Sequence, residues 1–231
     1  MCFDFLLLGH LLGDFTFQTD KIAENKGELW KWNLCHSIIV TCCILIFAVP
    51  FGSLILGLVL LNGVLHFVID YYKSRLPDQR PLYSLFYFVV DQTVHILIIF
   101  LISSFYTGNN YISSIYRILA DFLIVLVLIS SFASIMIQYI LRLIFVSYSE
   151  SFFIQNEKNI GIITRTLIFF VLYSSRYFSN ILLLITAVIL IAKTVYYKKK
   201  WYSLMSPAYF YTGLLMDFLI PISMFYLVLE Q

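Results

Sequence analysis

Long apolar runs make up most of the chain, and isolated polar residues interrupt them at helical rather than alternating spacing. Crossing the hydrocarbon of a bilayer takes about 20 apolar residues in a helix. The pattern predicts a first helix over Phe3–Asn25, with Leu7, His10, Asp14, Gln18 and Lys21 along one line and a stop at Lys26-Gly27. A shorter apolar segment, Asn33–Val49, begins just before His36. Pro50, Phe51, Gly52 and Ser53 predict a tight turn, because Pro and Gly end a helix and Ser caps the next. The third helix, Ser53–Leu76, carries Asn62, His66 and Asp70 at four-residue steps, with Lys73 after them. A proline-bearing loop over Leu76–Pro81 leads to a fourth helix, Leu82–Phe105, which holds Asp91, Gln92 and His95.

Beyond a polar connection at Tyr106–Ser114, a long fifth helix is predicted over Ile115–Val146. A polar loop, Ser147–Asn159, contains Glu150, Glu157 and Lys158. Then come a short apolar segment over Ile160–Ser175, an interruption at Arg176–Asn180, a helix over Ile181–Tyr197 closed by Lys198, Lys199 and Lys200, and a final span from Tyr209 to Leu229. The expected fold class is all-α: a polytopic transmembrane helical bundle of about eight spans, or six to seven if Ile160–Ser175 does not cross. Residues 1–105 form the expected four-helix core and residues 106–231 the helices that pack on it.

Composition agrees. Of 231 residues, 61% are hydrophobic and 12% charged, and mean hydropathy is +0.90. A soluble domain carries about 25% charged residues. The net charge of +2 is too small and scattered to attract nucleic acid. Cys2, Cys35, Cys42 and Cys43 make no C-x-x-C pair and read as small buried hydrophobes. The first apolar run has no basic region before it, as a cleavable signal peptide would.

With eight crossings, the basic loops fall on one side: Lys21, Lys26 and Lys31; Lys73, Arg75 and Arg80; Lys158 and Arg165; and Lys198–Lys200. The positive-inside rule makes that side cytoplasmic. Arg142 and Lys193, inside apolar runs near those ends, are expected to snorkel. Trp30, Trp32 and Trp201 suit interface anchors, and Lys21, Lys26 and Lys31 a solvated face.

All four histidines lie in the first 95 residues. His10/Asp14, His66/Asp70 and Asp91/His95 are spaced i,i+4, which places each pair on one helix face. The first and third helices run from outside to inside and read His-x-x-x-Asp. The fourth runs back and reads Asp-x-x-x-His. All three aspartates then lie roughly 9 to 18 Å from the inner helix ends, with the histidines about one turn deeper. His36 approaches the aspartates from the second helix. Charged carboxylates in hydrocarbon are costly unless paired, protonated, wetted or metal-bound. Imidazole with carboxylate suits zinc, manganese or iron better than calcium or magnesium. The candidate metal ligands are therefore His10, Asp14, His66, Asp70, Asp91 and His95, with zinc the first choice. Two ions, or one ion with carboxylates orienting its histidines, fit seven candidate donors. Gln18, Asn62 and Gln92 are candidates for supporting hydrogen bonds, and Lys73 either leans on Asp70 or meets lipid headgroups. No H-E-x-x-H, phosphate-binding glycine loop or G-x-S-x-G elbow occurs.

The words His10-Leu-Leu-Gly-Asp14-Phe-Thr-Phe-Gln18, Ala23-Glu24-Asn25-Lys26, His36, His66-Phe-Val-Ile-Asp70-Tyr-Tyr-Lys73 and Asp91-Gln92-Thr-Val-His95 resemble, in order, the bacterial membrane-protein family catalogued as domain of unknown function 3307. The resemblance covers residues 3 to 105, and Glu157, Gly161, Arg165, Lys193, Tyr209 and Gly213 resemble its longer members. It implies an inner-membrane location and brings no activity. A weaker likeness is to bacterial membrane-bound metal-dependent hydrolases. Three functions are compatible with these residues. The first is a metal-dependent intramembrane hydrolase acting on a lipid or lipid-linked, anionic substrate, with catalytic roles among Asp14, His36, Asp70 and Asp91 and with Lys73 or Arg75 steadying the anion. The second is a transporter or channel for divalent metal or protons. The third is a non-catalytic assembly subunit of the membrane.

Overall fold

A computed structural model describes residues 1–76, 80–108, 112–145, 155–175, 179–200 and 206–229. The expected loop residues 77–79 and 109–111, most of the loop expected at 147–159, the interruption at 176–178 and Trp201 lie outside the described residues. The fold is all-α among those described, and it divides into two compact units, Met1–Val127 and Leu128–Gln231.

In the first unit, α1 (Cys2–Leu11) runs into a π-helical turn, Leu12–Thr16, closed by the Phe17 N–H donating to the Leu12 carbonyl at 2.9 Å. The expected first helix to Asn25 is thus cut short at Thr16. A new short helix, α2 (Asp20–Asn25), follows, and the Thr19 hydroxyl caps it by accepting from the Ile22 N–H at 3.4 Å. Next are α3 (Trp30–Ala48), α4 (Ser53–Lys73), α5 (Pro81–Ser104) and α6 (Ser114–Val127). The α3–α4 turn is as predicted in place. A 3-10 turn over Val49–Phe51 ends at Gly52, whose φ of 89° only glycine adopts easily, and Ser53 is the first helical residue rather than the cap. Proline at the first position of α5 fits its preset φ.

Each of the four central helices buries one stripe. On α4 the stripe is Ile55, Val59, Asn62, His66 and Asp70; on α5 it is Ser84, Phe88, Asp91, Gln92, His95, Ile99 and Ile102. It is apolar at one end and ionisable at the other. Leu6, Leu8, Val40, Ile44, Ile55, Val59 and Ile99 form the apolar part of this core. The remaining faces of α4 and α5 expose Leu60, Leu61, Val64, Leu97, Phe100 and Leu101, as helices solvated by lipid do.

Glycine sets the spacing of these helices. A Cβ on Gly9 would lie 2.6 Å from the Ile44 Cα, one on Gly13 2.6 Å from the Val40 Cα, and one on Gly63 2.3 Å from the Thr41 Oγ1. Backbone therefore meets backbone where α1 crosses α3, the close approach that small residues four apart permit between membrane helices.

The second unit begins with a π-helical turn, Leu128–Phe132, followed by α7 (Ala133–Ile144), α8 (Gln155–Ser175), α9 (Ser179–Lys200) and α10 (Pro207–Leu229). Helix α8 starts five residues earlier than the expected segment, inside the expected loop. Among the described residues, five helical segments are long and apolar enough to cross a membrane: Trp30–Phe51, Ser53–Lys73, Pro81–Ser104, Ser114–Ile144 and Pro207–Leu227. That is fewer than the six to eight expected. The π turn ends the first helix at Thr16, so it is shorter than these.

Among the cysteines, Cys2 and Cys43 are buried as expected, whereas Cys35 and Cys42 are exposed; all are free thiols.

Candidate metal centre

The antiparallel order of α1, α3, α4 and α5 brings the ionisable ends of their stripes together. His10, Asp14, His36, His66, Asp70, Asp91 and His95 are all buried, and apart from Asp91 with His95 their shortest contacts run across helices rather than within the i,i+4 pairs. The π turn supplies the reason at Asp14. An extra residue in that turn swings its carboxylate off the line of His10, leaving 3.8 Å between His10 Nε2 and Asp14 Oδ2. Instead Asp14 Oδ1 lies 2.9 Å from His36 Nε2 and 3.6 Å from His66 Nε2. Those two nitrogens are 3.3 Å apart.

One oxygen and two nitrogens thus form a triangle with edges of 2.9, 3.3 and 3.6 Å. A tetrahedral ion with bonds of about 2.0–2.1 Å holds its donors about 3.3 Å apart. Asp14, His36 and His66 therefore already stand as one face of such a shell. A second group, His66, Asp70 and His95, also brings three ligand atoms within 4.8 Å of one another. His66 belongs to both, and its Nδ1 lies 3.2 Å from His95 Nδ1. His95 Nε2 in turn sits 3.4 Å from Asp70 Oδ1 and 3.4 Å from Asp91 Oδ1.

Two lysines complete the electrostatics. Lys26 Nζ donates to Asp70 Oδ2 at 3.0 Å, and Lys73 Nζ donates to Asp91 Oδ2 at 2.8 Å. Lys26 had read as part of a solvated face; the short α2 and its turn carry it back over the site. Lys73, expected to lean on Asp70 or meet lipid headgroups, pairs with Asp91 on the next helix. Arg75 turns away, donating to the Tyr71 carbonyl at 2.8 Å and lying 3.4 Å over the Tyr71 ring. Three carboxylates and four imidazoles thus share a buried place with two ammonium groups, a donor-rich setting that suits a cation.

Gln92 donates to Asp14 Oδ2 at 2.8 Å and to Asp91 Oδ2 at 3.2 Å, so it ties the two carboxylates together. Asn62 is buried one turn from His66 with no hydrogen-bond partner for its Oδ1, and Gln18 lies beyond the end of the first helix. His10 is fully buried, and neither ring nitrogen has a hydrogen-bond partner among the described residues; the same holds for His36 Nδ1. Orphaned buried polar atoms are rare in folded proteins and mark sites that bind something. Two His/Asp groups inside a bundle of long apolar helices make this a metal-binding membrane protein, and the donor set leaves open which divalent ion it takes.

Sequence patterns passed over three features. The Gly9-x-x-x-Gly13 word was visible and marks the close approach of α1 to α3. The reach of Lys26 had no local signal. In the second unit, Arg165 and Lys193 had read as a loop charge and a snorkelling end. Both are buried, and both pair with Asp217 of α10, a residue with no earlier role.

No curated protein and no solved structure matches the chain, so the likeness to membrane-bound hydrolases rests on the His/Asp words alone. A family match covers residues 2–123, which include every histidine and aspartate of the cluster, and the chain belongs to that family, described as Protein of unknown function (DUF3307).

Proposed function

We propose that this protein is a metal-dependent hydrolase of the bacterial inner membrane, acting on a lipid or lipid-linked phosphate that reaches the inner half of the bilayer. The observation that carries this is the buried triangle of Asp14, His36 and His66, which offers three donors; a tetrahedral ion held by them would keep its fourth position for water, as catalytic zinc sites do. A bound ion lowers the pKa of that water. Asp70, whose Oδ2 is 3.4 Å from His36 Nε2, stands beside it to take the proton. His95 lies between Asp70 and Asp91 and passes that proton on. Lys26 and Lys73, the partly exposed members of the cluster with side chains 18% and 24% exposed, meet the anionic group at the mouth. Zinc fits this nitrogen-rich donor set best, with manganese or iron as alternatives.

The same reading takes α1, α8 and α9 as crossings beside the five long apolar segments, which gives eight spans with the basic ends of α4 and α9 in the cytoplasm. Residues 1–105 are then the catalytic core and residues 106–231 its support.

One observation favours transport. Asp14, His36, His66, His95 and Asp91 form a buried chain with steps of 2.9, 3.3, 3.2 and 3.4 Å, short enough to relay a proton. The two readings part in one experiment: protein reconstituted in vesicles, with and without chelator, assayed both for phosphate release from a lipid-linked phosphate and for proton or metal flux. Hydrolysis that vanishes with chelator and in Asp70→Asn is expected. Undiminished hydrolysis after chelation contradicts it, and flux without hydrolysis favours the transporter.

A further inference from the structure

The second unit holds a separate buried ionic cluster. Arg165 of α8 is 2% exposed. Its Nε donates to the Ile129 carbonyl at 2.6 Å and its guanidinium to the Ser130 carbonyl at 2.9 Å. Both carbonyls belong to the π-helical turn, where the i→i−4 ladder is interrupted. The guanidinium also donates to the Ser134 hydroxyl and the Asp217 carboxylate, and the Lys193 ammonium donates to the other oxygen of Asp217. Gly161 makes room for it: a Cβ there would lie 3.0 Å from the guanidinium.

The charge does not balance. Among the described residues, Arg165 and Lys193 bring two positive charges to the one carboxylate of Asp217 inside an apolar bundle, an excess of one. That excess lies at Lys193, because Arg165 spends its donors on two carbonyls, a hydroxyl and Asp217, whereas the ammonium has N–H groups beyond the one given to Asp217. Lys193 and Thr164 line a groove of about 270 Å³ between α8 and α9, whose other walls include Ile160, Ile163, Leu167 and Ala192. Lys193 sits about two turns before Lys198–Lys200, which end α9 and are exposed.

We infer that this groove binds an anionic phospholipid, with the headgroup phosphate on the Lys193 ammonium and an acyl chain along the apolar walls. Charge complementarity selects the headgroup, since Lys193 shares the Asp217 carboxylate with Arg165 and a buried cation that is only partly compensated is costly. The apolar walls select a lipid over a free anion. The exposed Lys198–Lys200 run draws anionic lipid to that end of the helix.

The full chain in mild detergent, offered phosphatidylglycerol and phosphatidylcholine with identical acyl chains, tests this by native mass spectrometry. Wild-type protein retains phosphatidylglycerol about fivefold better, the preference one lysine confers. Lys193→Met abolishes the preference and leaves Arg165 and Asp217 as a balanced pair, so the fold is kept. Ala192→Phe fills the groove without touching a charge and removes the bound lipid. Replacing Lys198, Lys199 and Lys200 with Gln leaves the selectivity at the groove intact. Equal retention of the two lipids by wild-type protein, or a preference that survives Ala192→Phe, overturns the assignment. So does displacement of the lipid by millimolar inorganic phosphate.

Discussion

The chain carries two buried ionic clusters that solve the same problem in opposite ways. Around Asp14, four imidazoles and three carboxylates are drawn together with two lysines, and neither nitrogen of His10 has a hydrogen-bond partner among the described residues. Around Asp217, two cations and one carboxylate are locked by backbone carbonyls and a hydroxyl, with one positive charge in excess among the described residues. Each stands beside a π-helical turn. In the first unit the turn carries a site residue, Asp14, and redirects its side chain; in the second the turn presents its own carbonyls to Arg165. The contrast teaches that burial of charge alone does not mark a metal site. What marks it is a set of imidazole and carboxylate donors at coordination spacing whose hydrogen-bonding capacity the described residues do not use up.

The sharpest way to break this comparison is His66→Ala. Because His66 belongs to both donor groups, bound divalent metal measured by elemental analysis is expected to fall to background, whereas Arg165→Met leaves metal content unchanged. Arg165→Met acts instead on stability. Removing one partner of a buried ion pair costs about 3–5 kcal/mol, read as a large drop in melting temperature of the detergent-solubilised protein. If metal falls with Arg165→Met and melting temperature does not, the two clusters have been assigned the wrong way round.

A smaller effect is expected from Gly13→Ala. Its methyl group meets the Val40 backbone, and overpacking of this kind costs about 1–3 kcal/mol. It moves Asp14 away from His36, so metal affinity falls along with melting temperature; a variant with unchanged affinity would show that the α1–α3 approach does not position the site. Gln92→Ala is the mildest. It removes the link between Asp14 and Asp91 and is expected to weaken metal binding about 10- to 100-fold, the usual range for groups that orient ligands, with no change in helicity by circular dichroism.

How much of this was legible in the sequence differs between the two units. The stripe on α4 from Ile55 to Asp70 follows directly from helical period, and the reversed Asp91-x-x-x-His95 word agrees with the reversed direction of α5 that the crossings imply. Convergence of the three pairs with His36 could therefore be read residue by residue. Their partners could not. Period places His10 and Asp14 on one face only if the helix stays regular, and the π turn at Leu12–Thr16 has no pattern in side-chain hydrophobicity. Lys26 reaches Asp70 because α2 doubles back over the site, a tertiary fact. In the second unit Asp217 sits alone in an apolar run, and only the packing of α8, α9 and α10 shows that Arg165 and Lys193 are its partners rather than charges at a membrane surface.

The central claim is that Asp14, His36 and His66 hold a divalent ion within the bundle. X-ray absorption at the edge of whatever metal copurifies, or of zinc or manganese added at one equivalent, tests it most directly. The account predicts a nitrogen/oxygen first shell near 2.0–2.1 Å for zinc, with outer-shell scattering from at least two imidazoles that is lost in His36→Ala. A metal with no imidazole signature, or one whose spectrum is unchanged in that variant, contradicts it.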